Sequence, residues 1–140
     1  MDKRRLSRVL GLDYGERRIG MALSDPLRII AKPLAIIDRK KTADYLSQIS
    51  NIISEKKITS VVVGLPITLK GQNSKQTEIV LAFIDQLKAN LKIPIIAIDE
   101  RLSSVAAEKS LRLQNIKTGY EKGRVDETAA AIFLQEYLDS

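Results

Sequence analysis

One short run sets the first constraint. Ser60-Val61-Val62-Val63 is apolar and β-branched without alternation, and Gly64-Leu65-Pro66 stops it. A strand of that kind has no polar face to turn to water, so it belongs at the centre of a sheet covered on both sides. Ile95-Ile96-Ala97-Ile98, opened by Pro94, reads as another buried strand. The cover must come from helices, and the chain supplies candidates. From about Thr42 to Lys56 the residues Tyr45, Leu46, Ile49, Ile52 and Ile53 recur at helical spacing, with Thr42 as N-cap. From about Lys75 to Asn90 the apolar face is Ile79, Val80, Phe83, Ile84 and Leu87. Ser103 or Ser104 can cap a third helix through Leu113. After a polar loop from Gln114 to Gly123, a last helix starts near Asp126 and runs to Leu138.

The N-terminal part reads as strands. Val9 to Asp13 and Ile19 to Leu23 are short apolar runs joined by the turn Tyr14-Gly15-Glu16-Arg17-Arg18, the pattern of an antiparallel hairpin. Asp25 initiates the next turn at Pro26, and Leu34 to Ile37, opened by Pro33, is a third strand. The order β-β-β-α-β-α-β-α-α predicts an α/β fold: a mixed five-stranded sheet with helices on both faces. At 140 residues the chain suits a single domain spanning 1–140. The basic clusters Arg39 to Lys41 and Lys56-Lys57 read as solvated edges.

Composition narrows the chemistry. The chain has no Cys and no His, which excludes disulfides, thiol nucleophiles, Cys/His zinc sites and His-based triads. Acid–base or metal chemistry must run on carboxylates, Lys, Tyr, Ser or Thr. Lys plus Arg number 23 against 17 acids, a net charge of +6 that favours polyanionic partners such as nucleic acid. Aromatic residues are only Tyr14, Tyr45, Phe83, Tyr120, Phe133 and Tyr137, too few for a base-stacking platform. No run approaches the roughly 18 apolar residues that span a membrane, and Val9 to Leu12 is too short for a signal-peptide core. The expectation is a soluble, cytoplasmic protein.

Among the acids, four stand outside polar helix faces. Asp13 ends the first strand, Asp99 and Glu100 end the fifth, and Asp126 begins the last helix. Positions 126, 129, 130, 133 and 137 share one helical face, so Asp126 aligns with Ala129, Ala130, Phe133 and Tyr137. Small residues at 129 and 130 let that end of the helix approach the sheet. Carboxylates converging on one point repel unless a cation lies between them, and oxygen ligands suit Mg²⁺ or Mn²⁺. Two such ions about 3.5–4 Å apart can clamp a phosphodiester in line. Blander roles stand beside this one. Asp126 is also a good N-cap, Asp13 a turn closer with Gly15, and Asp99-Glu100-Arg101 a local ion pair. Arg17, Arg18, Arg101, Lys122 and Arg124 lie next to these acids, as phosphate-binding groups or as their neutralising partners.

The residues carry a resemblance. Leu10-Gly11-Leu12-Asp13-Tyr14-Gly15-Glu16-Arg17-Arg18-Ile19-Gly20-Met21-Ala22-Leu23-Ser24-Asp25 resembles the opening signature of the YqgF/RuvX family. Val62-Val63-Gly64-Leu65-Pro66 with Gly71, Asp99-Glu100-Arg101-Leu102-Ser103-Ser104 with Ala107, and Val125-Asp126-Glu127-Thr128-Ala129-Ala130 leading to Leu134-Gln135-Glu136-Tyr137-Leu138 match in order. The resemblance implies an RNase H-like fold, as in junction resolvases of the RuvC type. It implies a nuclease maturing the 5′ end of pre-16S ribosomal RNA, a junction-resolvase role being the alternative. By carry-over Asp13, Glu100 and Asp126 are the metal-binding acids, with Asp99 the runner-up at the middle position. Two departures matter. The strand after the first helix ends in Gly64-Leu65-Pro66, without the carboxylate that most RNase H-like nucleases place there. Lys70 stands where the family often has an acid before Gly71.

The reading is thus a nuclease dependent on Mg²⁺ or Mn²⁺, with two ions, acting on structured RNA or branched DNA. Asp13, Glu100 and Asp126 hold the metals, and Arg17, Arg18, Arg101, Lys122 and Arg124 hold phosphates. Two rivals share the sequence: a non-catalytic nucleic-acid-binding assembly factor, and a small nucleotide-binding protein using the Asp13 hairpin.

Overall fold

A computed structural model describes residues 7–67, 70–99 and 122–140, with the backbone alone at 122–128. Five strands form one sheet. They are β1 (Arg8–Tyr14), β2 (Arg18–Ser24), β3 (Ala31–Asp38), β4 (Ile58–Leu65) and β5 (Ile95–Asp99). The helices are α1 (Tyr45–Glu55), α2 (Lys75–Asn90) and α3 (Lys122–Asp139). The strand order is β3-β2-β1-β4-β5. β1 pairs antiparallel with β2 and β2 with β3, while β1–β4 and β4–β5 are parallel. The mixed sheet expected from the pattern of runs is therefore present, with β1 at its centre and β4 beside it. β5, expected from its apolar run to be buried, is instead an edge strand with all its residues partly or fully exposed, because among the described residues no strand pairs beyond it. The third helix expected from Ser103 or Ser104 lies outside the described residues.

Alternation along the strands divides the core into two layers. Leu10, Leu12, Tyr14, Val61 and Val63 face α1 and α2 and pack with Ile49, Ile53, Val80, Phe83 and Leu87. Val9, Ala22 and Val62 face α3 and pack with Ala129, Ala130, Phe133 and Leu134. Val61, Val62 and Val63 are all fully buried, as a strand without a polar face requires.

Element ends depart from the expectations in instructive ways. β3 runs from Ala31 to Asp38 rather than Leu34 to Ile37, so Pro33 lies inside it. An edge strand tolerates this, and the register shifts between Met21 and Ala22, next to the Pro33 pairing. α1 begins at Tyr45, not near Thr42: Asp44 is the cap, its carboxylate accepting from the Ser47 N–H at 3.2 Å. α2 spans Lys75 to Asn90 as expected, closed by a capping box between Ser74 and Thr77. Thr77 is buried there, its hydroxyl donating to the Pro66 carbonyl, whereas Ile79 is 36% exposed and not part of the buried face. α3 starts at Lys122, four residues before Asp126, and takes in Gly123 from the expected loop.

The turn between β2 and β3 is closed by Asp25, as its sequence implies. One carboxylate oxygen accepts from the backbone N–H groups of Ile29 (2.7 Å) and Ile30 (2.8 Å). These bonds, Ile30 first, hold the Asp25 carboxyl below its usual range against a smaller opposing effect of desolvation.

Candidate active site

Asp13 is the best-defined of the expected site acids. It is 6% exposed and pairs across the hairpin with Gly20. Val9 packs into the α3 layer and Leu10 and Leu12 into the other, so alternation turns Asp13 towards the α3 side. Leu12 pairs with Val63 on β4, and the next step of that register sets Gly64 beside Asp13. Asp13 thus stands between Gly20 and the position of Gly64.

Gly11 brings α3 over this end of the sheet. A Cβ there would lie 3.0 Å from the Leu134 Cβ and 3.2 Å from the Ala130 carbonyl, so only glycine permits the approach. The helix direction follows from its other end. Gln135 donates to the Ile29 carbonyl and accepts from the Ala31 N–H, both at 2.8 Å. Tyr137 lines a hollow with Ser7, Thr59 and Ser60 at the starts of β1 and β4. α3 therefore runs antiparallel to β1. Position 126 is one turn, about 6 Å, back from Ala130. Asp13 is two residues, about 7 Å, forward from Gly11. The two advances run the same way, so the backbone brings positions 13 and 126 to one end of one face. Asp126 lies inside α3, which removes its N-cap reading.

At the middle position the sheet separates the neighbours. Ile96 and Ile98 pack in the α3 layer and Ile95 in the opposite one, so Asp99 alternates onto the Ile95 side, away from Asp13. Asp99 pairs with Leu65. Glu100 and Arg101 lie outside the described residues. Lys122 and Arg124 fall in the first turns of α3. Arg17 and Arg18 flank the start of β2. Arg17 is 51% exposed, with its Nε 3.7 Å from the Asp38 carboxylate. An exposed pair at that distance contributes about 1 kcal/mol at most, and phosphate can displace it.

The turn after Asp13 holds what the sequence reading missed. Arg39, read as part of a solvated cluster, lies over the Tyr14 ring at 4.5 Å and donates to turn carbonyls. Its partners are more than twenty residues away in sequence, so no local pattern could reveal them. Tyr14 stacks on Phe83 with ring centroids 4.0 Å apart and shares a 3.3 Å hydroxyl contact with Tyr45. Burial above all, then that hydrogen bond, pushes the Tyr14 phenol up to about 12.

The donor chemistry fits a hard divalent cation: a buried carboxylate in a chain without Cys or His. Among the described residues no three acids form a metal-holding group, and of the expected three only the Asp13 side chain is described.

The fold is an α/β fold similar to the RNase H-like fold of RuvC. RuvC of T. thermophilus, solved with a Holliday junction substrate, superposes with a TM-score of 0.60 at 15% identity, over 94% of this chain and 93% of that one. The fowlpox virus resolvase, in complex with Holliday junction DNA, gives 0.53 at 16% identity, over 94% and 97%. Within that class the chain belongs to the RuvX family, described as Holliday junction resolvase, whose model matches residues 7–140. Relatives carry the name "Putative pre-16S rRNA nuclease". The one from Roseiflexus sp. strain RS-1 is 45% identical over 133 residues, 95% of this chain and 94% of the relative. That from Desulforamulus reducens is 44% identical over 133 residues, 95% and 97%.

Proposed function

We propose that this chain is a divalent-metal-dependent nuclease that hydrolyses phosphodiester bonds in the 5′ maturation of pre-16S rRNA. The name carried by its relatives supports that substrate. The observation that carries the chemistry is the buried Asp13 between Gly20 and the position of Gly64, on the face and at the end where α3 brings residue 126. Asp13, Glu100 and Asp126 hold the cation or cations, Mg²⁺ or Mn²⁺. The parity that takes Asp99 to the other face favours Glu100. When bound, the metal supplies water activation and charge stabilisation at the phosphate. Arg17, Arg18, Arg101, Lys122 and Arg124 grip the flanking phosphates and set the scissile bond over the acids. The work falls to one domain, residues 1–140, in the cytoplasm. Among the described residues no helix is long and apolar enough to cross a membrane.

The family description favours a second reading, a resolvase of four-way DNA junctions. One experiment decides. A labelled pre-16S 5′-leader RNA and a four-way DNA junction are incubated with the protein in Mn²⁺ and in EDTA, at increasing salt. Metal-dependent cutting of the RNA, with binding that weakens steeply as salt rises, is expected. Preferential cutting of the junction moves the substrate to DNA. Binding without cutting of either makes the protein an assembly factor.

A further inference from the structure

The turn joining β1 to β2 links Asp13 to the Arg17–Arg18 pair, and its backbone leans on one residue. Arg39 follows β3 directly. Its Nη1 donates to the carbonyls of Gly15 (2.9 Å) and Glu16 (2.7 Å). Its own backbone N–H donates to the carbonyl of Arg17 at 2.7 Å. Three successive turn carbonyls therefore accept from one residue. Gly15 closes the loop from inside, its N–H donating to the Arg18 carbonyl at 2.9 Å, where a Cβ would stand only 2.9 Å from that oxygen.

Arg39 is itself held in place. Its guanidinium carbon lies 4.5 Å from the Tyr14 ring centroid and 5.7 Å from that of Tyr45. Tyr14 is pinned from below by Phe83. The Nε is buried without a hydrogen-bond partner among the described residues, an arrangement that no solvated arginine adopts. The preceding residue, Asp38, reaches the Arg17 Nε. A planar guanidinium can fork onto two carbonyls while its face rests on aromatic rings; a lysine ammonium cannot do both.

We propose that Arg39 is a positioning residue for the nuclease reaction. It fixes the peptide planes of residues 15–17 so that the Asp13 carboxylate and the Arg17 and Arg18 cations are presented to one phosphodiester in a set geometry. The inference rests on the nuclease reading above. It acts through the turn and has no need to touch substrate itself. Displacing reacting groups by about 1 Å can cost a hundredfold in rate, which is the scale of effect expected.

The test compares the full-length wild type with Arg39→Lys and Arg39→Met. Steady-state cleavage of the leader RNA in Mn²⁺, thermal melting, and amide hydrogen exchange at Gly15 are measured on each. Both variants are expected to lower kcat by about ten- to a hundredfold with KM changed by less than about threefold, and to speed exchange at Gly15 while α2 keeps its protection. Arg39→Lys keeps the charge and is expected not to rescue. Wild-type kcat in Arg39→Lys overturns the inference, because charge alone would then suffice. Unchanged exchange at Gly15 overturns it whether or not the wild type cuts. If Arg39→Met fails to fold, Arg39→Lys decides on the same readouts. A wild type that does not cut, with faster Gly15 exchange in the variants, sinks the nuclease reading and leaves the hold of Arg39 on the turn standing.

Discussion

Asp13 depends on what is missing beside it. Gly20 on one side and the position of Gly64 on the other flank it in the sheet, so neither paired position carries a Cβ and the site is left that much room. Gly64→Ala puts a methyl group into that room. Cleavage is expected to fall about tenfold or more, since a functional group displaced by a fraction of an ångström loses its geometry. The melting temperature is expected to stay within about 4 °C of the wild type. Parallel kinetics and thermal melts check this, and unchanged cleavage would contradict it. Behind Asp13, Tyr14 makes a prediction of a different kind. Its phenol is raised from 10.0 to about 12 by burial first and by the Tyr45 hydroxyl second. The unfolded chain therefore ionises before the folded one. The stabilisation is fully present below pH 10 and is lost as pH rises towards 12. Denaturant midpoints followed across that window are expected to fall, and Tyr14→Phe to flatten the fall. Asp13 was legible as a candidate because an acid at the end of an apolar strand is conspicuous. Arg39 was not, because its role is made of carbonyls and rings that only the folded chain assembles.

At the scale of elements, α3 decides whether the acids meet. Its approach to the sheet is set by Gly11 against Ala130 and Leu134. Gly11→Val overfills a contact already at its limit. A loss of about 1–3 kcal/mol is expected in denaturant unfolding, together with reduced cleavage as the N-terminal end of α3 moves off. Unfolding at the wild-type midpoint would contradict that packing. The elements differed in how plainly their sequences announced them. α2 could be read at both ends because its Ser74–Thr77 capping box and apolar face are local signals. α1 was misplaced at its start, since Thr42 and Asp44 are both good caps by type and only the second captures the Ser47 N–H. α3 was begun too late because Gly123 looked like a breaker, and with the earlier start Asp126 ceases to be a cap. The choice between Asp99 and Glu100 could not be made from an apolar run, which has no parity. The two packing layers put Asp99 on the side of Ile95, and Glu100 lies outside the described residues.

At the scale of the whole molecule, the proposed chemistry lies at one end of the sheet. β1, β4 and β5 run parallel, so their C-terminal ends share an edge, and α3 runs back against them with its N-terminal end over that edge. The chain carries a net charge of +6, and Arg17 and Arg18 lie in the turn and first strand position that follow Asp13. The central claim is that Asp13 is a ligand of the catalytic metal. The most direct measurement is a Mn²⁺ titration of the wild type and Asp13→Asn, followed by calorimetry and by cleavage of the leader RNA in the same buffer. The account predicts that Asp13→Asn keeps its RNA affinity and its fold, loses most of its Mn²⁺ affinity, and cuts at least about a hundredfold more slowly. Wild-type metal binding and cutting by Asp13→Asn would contradict it.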